Sequence, residues 1–239
     1  MTFGKIGARP LVKSWTARDY VQNGLVAMWD GIENAGWGVH NANATAWMDL
    51  VGGIEIPLTS SGAWDNDSLC RTNSNDMYRA AKADNSLKFG LTEQYVTFET
   101  VFRLTSESGD RALIASPYSK RSVAAQMSNN WFLPDGVAAT SNSSLSFPIT
   151  YGEKYSASTT INLSGNITKL TANGSNVTST QRNSISYGAD FFGFLGGRDN
   201  RAIAYGNVYC LRLYSRALTA AEIAANYAID KARFNLPSA

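Results

Sequence analysis

The run Gln-Tyr-Val-Thr-Phe-Glu-Thr-Val-Phe-Arg-Leu, residues 94–104, constrains this chain more than any other stretch. Side chains of a strand point alternately to opposite faces. One face here carries Val96, Phe98, Thr100, Phe102 and Leu104; the other carries Tyr95, Thr97, Glu99, Val101 and Arg103. A one-residue slip would put the first set in water, so the register is fixed by the core. The odd-numbered face, with Glu99, is expected to be solvated.

Comparable signals recur along the chain. Residues 24–31 are apolar between two glycines, residues 47–51 end at Gly52-Gly53, and Ile54, Ile56 and Leu58 alternate. Strands are predicted over 62–64, 69–71, 111–116, 131–133, 154–161, 166–172, 175–180, 191–195 and 203–214, the last as one strand or a pair. Pro134-Asp135-Gly136 and Asn173-Gly174 read as turns, the second as a tight hairpin. A helix is predicted only at the end, where Thr219 and Glu222 form a capping box and Pro237 stops it. A shorter helical turn is predicted between Thr16 and Val21, with Asp19 as capping partner. Charged residues make up 17% of the chain, against the roughly one quarter usual for a globular protein. Ser, Thr and Asn carry the polar load, as on solvent faces of sheets. These features predict an all-β, two-sheet antiparallel sandwich with a short C-terminal helix. Residues 21–236 are expected to form one domain, preceded by an arm over 1–20.

Net charge is +2 and the basic residues are scattered, which argues against nucleic acid. No stretch is long and apolar enough for a membrane helix, and no signal peptide is evident. Synthesis in the cytoplasm is therefore expected. Cys70 and Cys210 are either two thiols or one bridge. Sequons such as those at Asn43, Asn166 and Asn176 are expected by chance in so Asn-, Ser- and Thr-rich a chain. Residues 1–14 hold Lys5, Arg9 and Lys13 without an acid, so they read as a plain terminus or a segment that docks on a partner.

Three segments carry a resemblance. Leu-Val-Ala-Met-Trp-Asp-Gly at 25–31, followed by Trp-Met-Asp-Leu at 47–50, resembles the opening of laminin-G-like modules of the concanavalin A-like superfamily. The Asn173-Gly174 hairpin occupies a matching place. Val-Tyr-Cys-Leu-Arg-Leu-Tyr-Ser-Arg-Ala-Leu-Thr-Ala-Ala-Glu-Ile at 208–223 is similar to the modules' closing signature and is the specific part. The resemblance spans about residues 24–234. It implies a jelly roll whose terminal strands are adjacent, with Leu211 and Leu213 inward, Arg212 and Tyr214 outward, and the helix over the sandwich edge. Many such modules hold calcium with an Asp on one rim. No Asp here matches that position, so no cofactor is expected and the metal is left open.

Catalytic signatures are missing: there is no GxSxG, HExxH, CxxC, Walker A or GxGxxG. Glycoside hydrolysis needs two carboxylates about 5–9.5 Å apart. Glu93 and Glu99 would stand roughly 20 Å apart along one strand and cannot form that pair alone. The chain is expected not to be an enzyme. Binding chemistry is easier to find. Aromatic faces stack on sugar C–H surfaces while amides take hydroxyls. Residues 31–46 offer Glu33, Asn34, Trp37, His40, Asn41 and Asn43 among glycines, in a loop that should run over the surface. Trp37 is either ligand-facing or folded back as a lid; Trp29, Trp47 and Trp131 fit strand patterns and belong to the core. Candidate ligand contacts are Trp37, His40, Asn41, Asn43, Arg198 and Asp199, the last two in a charged loop after Gly197. The expected function is non-catalytic recognition of a glycan or host-surface polysaccharide. By analogy it suits a bacteriophage capsid-decorating or tail protein, held to the virion by residues 1–14, with a homo-oligomer as one form it could take. The alternatives are a structural assembly protein without a glycan site and a glycoside hydrolase.

Overall fold

The computed structural model describes residues 14–58, 64–72, 78–81, 95–108, 112–116, 125–128, 131–133, 146–162, 167–177, 191–194 and 203–237. Residues 1–13, the turn at 134–136, and Arg198 and Asp199 lie outside them, as does the side chain of Trp131.

A one-turn 3-10 helix, Ala17–Asp19, opens the described chain. The strands are β1 Leu25–Asp30, β2 Ala46–Met48, β3 Glu55–Pro57, β4 Leu69–Arg71, β5 Tyr78–Ala81, β6 Tyr95–Ser108, β7 Ala112–Ser116 and β8 Ala125–Ser128. They continue as β9 Trp131–Leu133, β10 Phe147–Pro148, β11 Lys154–Asn162, β12 Ile167–Ala172, β13 Ser175–Asn176, β14 Phe191–Phe194 and β15 Ile203–Tyr214, before helix α1, Ala220–Phe234. Strands β5, β8 and β10 fall where the sequence carries no clear alternation. The expected strand over 203–214 is one continuous element with irregular register near Gly206 and Tyr209.

All pairings are antiparallel. A seven-stranded sheet runs β1-β15-β6-β11-β12-β13, with β4 also on β15; a six-stranded sheet runs β10-β9-β8-β7-β14-β5; β2 and β3 form a separate hairpin. The first and last strands are therefore neighbours, Trp29 opposite Leu211. The sheets meet through aromatic rings. Phe102 of β6 stacks on Phe132 of β9 at 5.4 Å between centroids, and Phe132 on Phe147 of β10 at 4.7 Å. Tyr155 of β11 closes the cluster against Phe102 and Phe147. Each such pair contributes about 0.5–1.5 kcal/mol beyond its burial. Phe98, Leu104, Leu211, Leu213, Trp29 and Trp47 complete this core.

The turn at Asn173 and Gly174 has positive φ at both residues, 48° and 77°, the backbone that a two-residue hairpin needs. Gly174 is required a second way, because the Tyr227 ring of α1 occupies the space a Cβ would fill.

Helix α1 is capped as the sequence predicts. The Thr219 hydroxyl accepts from the Glu222 amide while the Glu222 carboxylate accepts from Thr219 N. Asn235 closes it in the left-handed conformation. The helix lies across the outer face of the seven-stranded sheet, not over its edge. That corrects the expected solvation of Glu99, which is 2% exposed; the outward-pointing Arg212 and Tyr214 are likewise buried, at 1% and 0%. They do stand on the outer face, but α1 and residues 17–21 cover it. One rung of that face reads Met28, Arg212, Glu99, Ser158, Thr171.

Charge so deeply buried must be paired. The Arg212 guanidinium donates Nε to Glu99 at 2.9 Å and both terminal nitrogens to the two oxygens of Asp230, at 2.7 and 2.8 Å. Asp230 also accepts from Tyr20 Oη and Ser156 Oγ. Asn226 donates to Glu99 and to Tyr214 Oη, and its oxygen accepts from Val21 N. Helix, sheet and N-terminal segment are thus pinned at one point. Cys70 and Cys210 are not bridged by a disulfide; burial pushes the Cys210 thiol well up. No described helix is long and apolar enough to cross a membrane.

Candidate functional site

The loop from Gly31 to β2 is built on Asp30, the last residue of β1. Its Oδ1 accepts from Ile32 N and Glu33 N, turning the chain away from the sheet. Asn34 then closes the loop: its Nδ2 donates to Asn41 O while its Oδ1 accepts from Asn41 N. A residue with donor and acceptor on one planar group can clamp a backbone peptide in this way. Asn41 Oδ1 in turn accepts from Asn43 N. Two indoles fasten the base, Trp47 Nε1 to Asp30 O and Trp64 Nε1 to Ala44 O, with their rings edge to face at 5.3 Å.

Glu33 ties the loop to the rest of the molecule. One carboxylate oxygen accepts from Gly38 N; the other accepts from Ala17 N and from Arg233 of α1. Arg233 also grips Asp30 with both terminal nitrogens, at 2.7 and 3.0 Å. Burial raises Asp30 above the usual carboxylate range, while Arg233 beside it acts to lower it. Arg233 is itself raised by Asp30, Tyr20 and Glu33, against the burial that would lower it.

The outer rim is what this frame presents. Gly38, Val39, His40, Asn41, Ala42 and Asn43 are exposed, Val39 at 50%. The His40 ring places Nδ1 3.1 Å from Gly31 O. A carbonyl only accepts, so that nitrogen carries the proton and Nε2 is the acceptor of the neutral ring. Trp37 is half-buried, resting on the cluster beneath α1. Its ring has the Arg18 guanidinium 4.3 Å from its centroid.

Of the residues expected from sequence, Trp37, His40, Asn41 and Asn43 thus stand along one rim. Glu33 and Asn34 of the same loop are buried braces. Arg18 was missed; it lies 19 positions before Trp37, in a segment read only as an arm, and no local pattern joins the two. Ala17 and Tyr20 of that segment are buried. Glu99, the acid weighed for hydrolysis, is bonded to Arg212 and Asn226 inside the protein. Among the described residues no three His, Cys, Asp or Glu side chains are grouped to hold a metal ion.

No protein-family model and no curated protein matches the chain. Solved structures do. The chain is similar to Trypanosoma rangeli sialidase in complex with sialic acid, with TM-score 0.58 at 14% identity, over 87% of this chain and 33% of the sialidase. It is also similar to the binding domain of botulinum neurotoxin DC in complex with SialylT, with TM-score 0.51 at 9% identity, over 86% of this chain and 51% of that one. At such identities the likeness is one of fold. The chain spans about a third of the sialidase's length.

Proposed function

We propose that this chain is a non-catalytic glycan-recognition module, a concanavalin A-like jelly roll forming one domain over residues 21–236. The carrying observation is the loop over 31–46, where buried Asp30, Glu33 and Asn34 hold an exposed row of His40, Asn41 and Asn43 beside a half-buried Trp37. A rim braced by such bonds loses less entropy on taking a ligand than an unbraced loop would. Amides and an imidazole acceptor suit sugar hydroxyls, and an indole suits the C–H face of a pyranose. The likeness to a toxin binding domain solved with SialylT supports a glycan as partner. The burial of Glu99 favours a binding role over hydrolysis. Weak single sites of this kind gain from many copies. Attachment to a virion through Lys5, Arg9 and Lys13 is a finer form of the proposal and rests on their charge alone.

The test is a broad glycan array probed with the purified chain, with calcium and again with EDTA, beside Trp37→Ala and Asn41→Ala. Reproducible signal, weakened at least tenfold in both variants while their circular dichroism stays native, supports the reading. A blank array in both buffers overturns it and leaves the assembly reading.

A further inference from the structure

Arg18 differs from the three arginines that make ion pairs around α1. Arg212 holds Glu99 and Asp230, Arg216 holds Glu222, and Arg233 holds Asp30 and Glu33. Arg18 is exposed and has no carboxylate partner among the described residues; its guanidinium lies over the face of Trp37, 4.3 Å from the ring centroid. The acids nearest in the chain are engaged elsewhere. Asp19 accepts from Thr16 N and Oγ1, and Glu33 from Ala17 N, Gly38 N and Arg233. Stacking on an indole uses the charge of a guanidinium and none of its five N–H donors. It also fixes where that charge sits.

We propose that Arg18 and Trp37 form an acidic-sugar subsite: the guanidinium takes a sugar carboxylate and the indole edge supports the ring that bears it. This rests on the glycan reading above and names the class of sugar. A guanidinium fork matches a carboxylate with two parallel hydrogen bonds, which gives orientation as well as affinity. A monoanion suits the place better than a doubly charged phosphate ester. Behind the rim Asp30 and Glu33 share the single cation Arg233, which leaves one formal negative charge (two acids less one base). His40, Asn41 and Asn43 follow Trp37 in the same exposed run of the loop and offer polar groups for the sugar's hydroxyls.

The experiment compares two oligosaccharides that differ at one group: a terminal sialic acid, and the same sugar with its carboxylate converted to the carboxamide. Both are titrated into the wild-type chain, Arg18→Ala, Arg18→Lys and Trp37→Ala by ligand-observed NMR. The acid is expected to bind wild type at least tenfold more tightly than the amide, and only the acid should weaken as salt rises. Arg18→Ala should bring the acid down to the level of the amide and leave the amide unchanged; Arg18→Lys should restore part of the difference; Trp37→Ala should weaken both. Equal binding of acid and amide to wild type overturns the subsite and leaves the glycan reading standing. So does silence toward both beside signal for neutral glycans on the array. Silence toward every glycan overturns both.

Discussion

Two buried arginines, one beneath helix α1 and one on it, make a useful comparison. Arg212 and Arg233 each bridge two carboxylates, and each lies close to the Tyr20 ring, at 4.0 and 5.5 Å. Their surroundings differ. Arg212 rises from the middle of the seven-stranded sheet, and its acids come from a neighbouring strand and from α1, so its bonds join elements that the sequence separates widely. Arg233 sits on the helix, and its acids begin the loop over 31–46. Asp30 and Glu33 also have backbone amides of their own, from Ile32, Glu33, Ala17 and Gly38. The first arginine holds the fold together; the second holds the candidate site to the fold.

The sharpest way to break that distinction is to remove each guanidinium. Arg212→Met leaves Glu99 and Asp230 facing each other with no cation between them. Uncompensated buried charge costs about 3–5 kcal/mol, so a large drop in the urea midpoint is expected. Arg233→Met strands its acids less completely, and a loss of about 2–3 kcal/mol is expected. It should also speed amide exchange at Gly38 and Ala17, and weaken glycan binding beyond what the lost stability explains. Equal urea midpoints for the two variants, with unchanged exchange in the loop, would erase the contrast.

The same contrast marks how far the sequence could be read. Alternation along β6 gave the inner face correctly, residue by residue, because apolar burial has a period that is visible locally. It could not say what covers the other face, so Glu99 read as solvated. A signal existed on the helix: Ile223, Asn226, Ile229 and Asp230 share one face, and an amide and an acid among apolar neighbours call for buried partners. The rim over 31–46 was legible from its glycines and amides. The roles of Glu33 and Asn34 as braces were not, since residue type alone does not separate an acid that binds from one that supports. Arg18 was beyond reach for the same non-local reason as Arg212: its partner is set by tertiary packing.

Acidity offers a finer test. Burial raises Glu99 and Asp30, each against the lowering effect of its arginine. A carboxyl raised on folding holds its proton more tightly in the native state. Its contribution is complete below the unfolded value of about 4 and is lost as pH rises through the native value. Stability should therefore fall as pH rises from about 4, and Glu99→Gln should flatten part of that slope. A thermal midpoint that climbs steadily over the same interval in both proteins would contradict it.

The smallest expected effect lies at the opposite end of the helix and has the opposite sign. Glu222 is held down to about 2, chiefly by its bond to Arg216 and then by the amide of Thr219. A carboxyl lowered on folding contributes above its unfolded value, near 4.3, and that contribution fades as pH falls through about 2. The pair is partly exposed, at 26% on each side chain, so solvent screens most of the charge attraction. What remains is the cap: Glu222→Gln keeps an acceptor for Thr219 N but loses the fork to Arg216, and should cost about 1 kcal/mol or less at neutral pH. Between pH 4.5 and 2 the wild type should lose this advantage and the two unfolding curves converge. Curves that stay parallel to pH 2 would assign the Glu222 contribution to geometry rather than charge, and leave the charge effect around α1 to Arg212 and Arg233.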